Sequence, residues 1–298
     1  MRVWYIVHAS TSPDGEVHGQ VRMFYSWQVK GSRWWRFYRH RLARRLGLRP
    51  PEGPKVVANS IPKAGSHLLL ACLEAMPDLV YTRWHVDWHI AIATLARVLD
   101  RVQPGEFVTA HLPFSPERAE LLTHRAFRMV LIVRDPRDVV VSHAHWVTYR
   151  YTRGRFHPYF RALPNDDARL MASIRGTPVL ADGAQLEDIG VRFRRYLMWV
   201  EKGAHLVRFE DLVGVKGGGS REAQARTIMK LARFLEIDLS PDMAERIGSH
   251  LFNPHSPTFR RGQIGEWRRR FRAEHKAAFK EVAGDVLLAL GYENHMDW

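Results

Sequence analysis

One cysteine, Cys72, stands in the 298 residues, so no disulfide can form within the chain, and that usage points to the reducing cytoplasm. No apolar run approaches the roughly 20 residues that a membrane span needs. The short apolar stretch from Val3 to Val7 meets His8 and then a Ser, Thr, Pro, Asp and Gly cluster, so no secretory leader is expected. Repeats and low-complexity tracts are missing too. Metal-ligand patterns are sparse: His85 and His89 sit at i and i+4, as on one helix face, but Val86 stands where the metalloprotease pattern requires Glu. With no Cys or carboxylate at matching spacing, no metal is expected. The two histidines and the nearby Trp84 and Trp88 are better read as lining of a substrate site.

Negative charge is also scarce: 31 Asp and Glu face 45 Lys and Arg, for a formal net charge of +14. That excess implies an anionic partner, whether nucleic acid, a membrane surface or a multiply charged small molecule. Between Glu16 and Glu52 there is no acid at all, while nine Lys and Arg, from Arg22 to Arg49, share the stretch with aromatics such as Trp34, Trp35, Phe37 and Tyr38. Trp35, Tyr38, Leu42 and Leu46 fall on one helical stripe. Such a helix lies on an anionic membrane or docks its stripe on its own domain, the commoner use of an amphipathic helix.

The chain is organised around residues 56–76. Val56 to Ser60 reads as a strand, Ile61 to Gly65 as a tight loop, and Leu69, Cys72, Leu73 and Met76 fall at helix spacing. A strand that feeds a Lys- and Gly-containing loop into a helix aims backbone N–H groups and a positive dipole end at one point, which suits a phosphate. Lys63 adds a full charge. The Walker A spacing is not met, because Lys63 precedes the loop's single glycine. The loop is therefore a phosphate loop of another kind, or Ser66 is a plain helix cap.

Further along, Phe107 to His111 reads as a strand, with Pro113 keeping Leu112 out of helix and His111 at the strand's carboxyl end. Ligands bind at that edge of open α/β sheets. Residues 115–126 have helix composition, and Met129 to Val133 is an apolar run of the kind buried on both faces of a parallel sheet. The run ends in Arg134-Asp135-Pro136-Arg137-Asp138, and Pro136 opens a helix that carries Ser142 two turns in. Residues 149–186 look irregular apart from a short helix over 166–174, as a substrate lid would. Helix 185–202, a β run over 204–209, the Gly217-Gly218-Gly219 turn and helix 221–235 follow. Alternating strands and helices predict a single α/β domain, with a mostly parallel central sheet covered by helices on both faces. Near the end, Arg260-Arg261-Gly262 forms a loop able to wrap a phosphate with guanidinium forks.

Taken together, Pro62-Lys63-Ala64-Gly65-Ser66, Ala110-His111-Leu112-Pro113, the Arg134 and Ser142 pair, and Arg260-Arg261-Gly262 with Gly265 and Trp267 resemble the PAPS-dependent sulfotransferases of the cytosolic type. The likeness runs from residue 54 to the C-terminus, leaving 1–53 as a basic aromatic extension and 54–298 as the sulfotransferase domain, with a P-loop-like phosphate-binding loop. It implies transfer of a sulfuryl group from PAPS, 3′-phosphoadenosine 5′-phosphosulfate, to a hydroxyl-bearing acceptor, leaving 3′,5′-adenosine bisphosphate (PAP). By the same likeness Lys63 contacts the phosphosulfate bridge, the loop of Lys63, Ala64, Gly65, Ser66 and His67 holds the 5′-phosphate, Arg134, Ser142, Arg260, Arg261 and Gly262 hold the 3′-phosphate, and His111 is the base. The expected site is cytoplasmic, with no nucleic-acid partner and weak membrane-surface contact through residues 22–49. Three departures stand out: Leu68 replaces a tryptophan that stacks on adenine, which leaves residues 249–252 for that task; Thr109 replaces a lysine two residues before the base; and Arg272, Ala273 and Ala277 break the family's dimer motif. A P-loop kinase, which shares the fold, is disfavoured by the missing Gly-Lys-Ser/Thr, and the other class weighed is a polyanion- or membrane-surface binding protein.

Overall fold

The computed structural model describes residues 2–11, 17–26, 32–47, 53–253 and 261–298. In chain order the elements are β1 (Arg2–Thr11), β2 (Val17–Ser26), α1 (Ser32–Arg45), β3 (Lys55–Ser60), α2 (Ser66–Ala75), β4 (Val80–Val86), α3 (Ile92–Asp100), β5 (Glu106–Ala110), α4 (Pro116–His124), β6 (Phe127–Val133) and α5 (Pro136–His145). A π-helical turn at Trp146–Arg150 leads to α6 (His157–Ala162), α7 (Asp166–Arg175), α8 (Ile189–Glu201), β7 (His205–Arg208) and α9 (Phe209–Leu212). After a 3-10 turn at Val215–Gly217 come α10 (Arg221–Phe234), α11 (Pro241–Leu251), α12 (Trp267–Arg270) and α13 (Ala273–Ala289). No described helix is long and apolar enough to cross a membrane.

The sheet runs β2-β1-β4-β5-β3-β6-β7, and every neighbouring pair is parallel except β1 with β2. Its central strands are apolar on both faces because helices cover both. In β6, Val130 and Ile132 pack with Leu69 and Leu73 of α2 and with Ile228 and Leu231 of α10. The alternate residues Leu131 and Val133 pack with Val139 and Val140 of α5, Phe193 of α8 and Phe279 of α13. That period-two division is what a buried parallel strand dictates. Phe193 and Phe279 have no exposed surface, so truncating either to Ala would cost about 3–5 kcal/mol. The chain leaves β3 toward β4 on one side and returns to place β6 on the other, so a crevice opens at the carboxyl end of β3.

Three expectations are corrected. His85 and His89, spaced as on one helix face, share none: Val80–Val86 is strand β4, paired with β5. The apolar run at Leu79, Val80 and Tyr81, buried against β5, outweighs the helical spacing of the two histidines. Residues 149–186 hold, besides the expected helix, which is α7, a second short helix, α6. In α1 three residues of the apolar stripe do not dock, since Tyr38, Leu42 and Leu46 are 57%, 53% and 61% exposed; the Trp35 side chain lies outside the described residues. The helix instead docks through Phe37 and through Arg41, whose Nε and Nη2 reach the Glu106 carboxylate at 2.8 and 2.9 Å. Glu106 is fully buried, and its charge needs that partner more than the stripe needs cover.

Candidate functional site

The loop between β3 and α2 supplies the first wall. Lys63 and Gly65 both take left-handed backbone conformations, at φ 75° and 109°, which fold the chain tightly into the helix. Gly65 is the residue before the first turn, and no side chain caps it. Ser66 is the first helical residue rather than a cap, so the plain-cap alternative does not hold. Helices α4, α7, α8, α10 and α11, by contrast, each begin with a Ser, Asn or Asp whose side chain accepts a first-turn amide. A side chain at Gly65 would place its Cβ 2.7 Å from Phe209. Lys63 projects into the crevice with Nζ 3.9 Å from the Trp146 ring centroid, a cation–π contact. Ala64 turns the other way: it is fully buried, and its amide is bound to the Ile61 carbonyl.

His111 emerges from the end of β5 and is held from three strands. Its amide donates to the Val86 carbonyl at 2.8 Å, and its Nδ1–H donates to the Ser60 carbonyl at 2.7 Å. Beneath it, the Asn59 side chain clamps Leu112 by accepting from its amide and donating to its carbonyl, each at 2.8 Å. With Nδ1 committed as donor, Nε2 is the basic nitrogen. Burial draws the imidazole's pKa below its ordinary value, opposed by Asp87 and by the Ser60 carbonyl, and Lys63 lowers it further. A second ring, His85, meets His111 edge-on at 4.8 Å. A register shift in β4, with Arg83 at φ 68°, brings His85 against Thr109, whose Oγ1 lies 3.0 Å from His85 Nδ1 and 3.0 Å from the Tyr81 hydroxyl. Burial and the neighbouring His111 and His67 push His85 down to about 3, so it is uncharged at neutral pH.

The third wall joins β6 to the C-terminal loop. Arg134 lies over Phe209, 4.5 Å from its ring centre, and donates through Nη2 to the Gln263 carbonyl at 2.7 Å and to Asp138 at 3.3 Å. Its Nε is buried without a hydrogen-bond partner. The fully buried Asp138 carboxylate also accepts the Gly265 and Trp267 amides at 2.8 and 2.9 Å. This clamp holds Arg261 and Gly262 beside Arg134 and Ser142. Arg261 meets Glu266 at 3.6 Å, and Gly262 takes φ 62°. Behind the clamp, Arg137 is sandwiched between the rings of Trp267 and Trp298 at 3.8 and 4.5 Å and bonds to Asp135 and Glu293.

One cavity of about 870 Å³ takes lining from every sequence-derived site residue except Ala64, which faces the core, and Arg260, which lies outside the described residues. Its far wall comprises Trp88, His89, Trp146, Tyr151, Phe156, Arg192 and Tyr196. Of the residues expected to face adenine, Leu251 and Phe252 line the cavity and Ser249 does not. Sequence reasoning missed Asp138, which was quoted in its pentapeptide but given no task, because the amides it accepts belong to Gly265 and Trp267, far along the chain. It also missed Asn59 and Arg192, which no spacing distinguishes from other strand and helix residues.

The family model described as "Sulfotransferase domain" matches residues 54–291. Among solved structures, mouse sulfotransferase SULT7A1 complexed with PAP superposes with a TM-score of 0.55 at 20% identity, over 77% of this chain and 82% of that one. Retinol dehydratase in complex with androsterone and inactive cofactor PAP gives 0.49 at 16% identity, over 80% and 82%. No curated protein matches the chain.

Proposed function

The chain belongs to the sulfotransferase-domain family, and we propose that its cavity transfers a sulfuryl group from PAPS to a hydroxyl-bearing acceptor, with His111 as general base and Lys63 at the departing oxygen. The observation that carries this reading is the fixed tautomer of His111, whose Nδ1–H is held by Ser60 while Nε2 is left as the acceptor of a proton. When bound, PAPS supplies the activated sulfuryl group. The residues present fit it: the uncapped start of α2 and the unpartnered Nε of Arg134 are anion-receiving features. Lys63, Gly65, Ser66 and His67 would hold the 5′ side; Arg134, Ser142, Arg261 and Gly262, with Arg260, would hold the 3′-phosphate. Phe252 stands in for the missing tryptophan at adenine.

Chemically, Lys63 and the helix N-terminus offer positive charge where negative charge leaves, the largest contribution expected in a transfer of this type. His111 takes the acceptor proton. Its lowered pKa keeps it in the basic form at neutral pH. The cytoplasm as compartment, the absence of nucleic acid among its partners and the division into an extension over 1–53 and a family core over 54–298 belong to the same reading. So does the loss of the family's usual dimer motif, where Arg272 pairs within the chain with Asp167 at 2.9 Å. A thermal shift tests the reading: PAP should raise Tm well above the effect of ATP or 5′-AMP at equal concentration. Equal shifts from all three would refute it.

A further inference from the structure

Of the three arginines on α8, Arg192 stands apart. On the same helix Arg194 meets Asp285 at 3.0 Å and Arg195 meets Glu187 at 2.7 Å. Elsewhere on the wall, Arg134 has Asp138 and Arg261 has Glu266. Arg192 has no carboxylate at ion-pair distance among the described residues. Its Nη2 donates to the Ser173 carbonyl at 2.6 Å and its Nε to the Asp188 carbonyl at 3.4 Å, while Nη1 has no partner among those residues. Carbonyls fix the guanidinium without neutralising it. Burial lowers its pKa only to about 10, with Asp188 and Glu187 opposing the shift from beyond contact distance, so the charge persists at neutral pH. Keeping a cation with no carboxylate in contact in a desolvated wall costs stability, and such costs concentrate at functional sites.

Its surroundings say what it is for. His143, held through Nδ1 by Ser173 Oγ at 2.9 Å, is depressed by burial and then by both Arg192 and Lys63, so the two cations share the transfer end of the cavity. The remaining wall there is aromatic, with Trp146, Phe156 and Tyr196. Of the nearby acids lining the cavity, Glu187 is engaged by Arg195, and Asp87 stands on the side of His111. Resting on the acceptor-site reading above, we infer that the hydroxyl acceptor carries an anionic group, a carboxylate or a phosphate, and that Arg192 receives it through its open Nη1 edge. Arg192 is then a specificity-determining residue rather than part of the nucleotide site.

The test is calorimetry on the full chain saturated with PAP, with 4-hydroxyphenylacetate, 4-hydroxyphenyl phosphate and neutral 4-hydroxyphenylacetamide as probes. One of the two anions should bind about tenfold or more tightly than the amide, the scale of one charge-assisted contact. The better of the two identifies which anion the site takes. Arg192→Gln should abolish the preference and Arg192→Lys should restore part of it, with the PAP thermal shift unchanged in both, which also reports that the variants are folded. Equal binding of the three probes, no binding of either anion, or a preference that survives Arg192→Gln overturns the inference. So does loss of the PAP shift on substitution, since that would put the guanidinium on the nucleotide. If the unaltered protein ignores PAP, the sulfotransferase reading fails, and the same probes without PAP still decide whether Arg192 holds an anion.

Discussion

The cavity has two walls built on different principles. The wall proposed for the phosphates is made of strand ends and is cross-braced: Asp138 ties Arg134 to the Gly265 and Trp267 amides, and Asn59 ties β3 to the His111 turn. The wall proposed for the acceptor is made of side chains on α8, on the π-helical turn and on the segment before α6, joined by ring contacts such as Trp146 on Tyr151 at 6.1 Å. A wall that binds a group of unvarying shape gains from rigidity, whereas a wall that selects one acceptor needs only side chains of the right size and charge. Substitutions should therefore act differently on the two.

The largest effects should fall where the walls meet. Lys63→Ala and His111→Ala should each lower turnover about a hundredfold or more, the scale for lost charge stabilisation or a lost base. His111→Ala should leave PAP binding intact, as a thermal shift would register; near wild-type turnover in that variant would remove the base assignment. The pH profile sharpens the point. Because the His111 pKa lies below its ordinary value of about 6.5, the acid limb of kcat/KM should lie below that pH, with the rate flat above it. Asp87 raises this pKa, so Asp87→Asn should move the limb further toward acid. A limb moving upward would contradict the electrostatics described.

Next comes the brace. Asp138→Ala strands two buried amides and uncovers Arg134, and removing one side of such a buried arrangement costs about 3 kcal/mol. A denaturant midpoint would report it, and PAP affinity should fall with it because Arg261 and Gly262 lose their anchor. Loss of stability without loss of affinity would separate the C-terminal loop from the phosphate wall.

The same contrast explains what was legible in the chain. Strand-end loops carry Gly, Pro, Lys and Arg at fixed offsets, so Lys63, Gly65, His111, Arg134 and Ser142 could be placed before any coordinates, as could the apolar strand from Met129 to Val133. The far wall has no such punctuation. Arg192, Arg194 and Arg195 look alike in a helix, and only their partners tell them apart. The spacing of four between His85 and His89 carries no helix, because pairing with β5 and a register shift make His85 a strand residue facing Thr109. The departure at Thr109 then acquires a sense: where relatives have a cation, this chain has a hydroxyl bonded to a second imidazole.

A smaller effect tests the 3′-phosphate end alone. Arg261→Ala should weaken PAP about tenfold, one charge-assisted contact, and adenosine 5′-phosphosulfate much less, because that ligand lacks the 3′-phosphate. Arg261 is 60% exposed and shares its charge with Glu266, which limits the loss. Equal weakening of both ligands, read by calorimetry, would move Arg261 away from the 3′ side.

The smallest effect concerns α1, which belongs to neither wall. Its docked face is settled by Phe37 and by Arg41 on Glu106, so the exposed Tyr38, Leu42 and Leu46 are not needed for packing. Arg45 is exposed beside them, and no acid lies between Glu16 and Glu52. Exposed apolar groups among arginines favour an anionic lipid surface, each nearby charge adding about 1 kcal/mol that salt screens over a Debye length of about 10 Å at 0.1 M. The full chain should therefore pellet with phosphatidylglycerol vesicles at low salt, and only weakly at 0.5 M on the order-of-magnitude screening expected there. Leu42→Glu should reduce pelleting at low salt while leaving turnover on a water-soluble acceptor unchanged, because the residue touches no part of the cavity. Pelleting that ignores both salt and Leu42→Glu would assign the interaction to another surface and leave the stripe on α1 without that use.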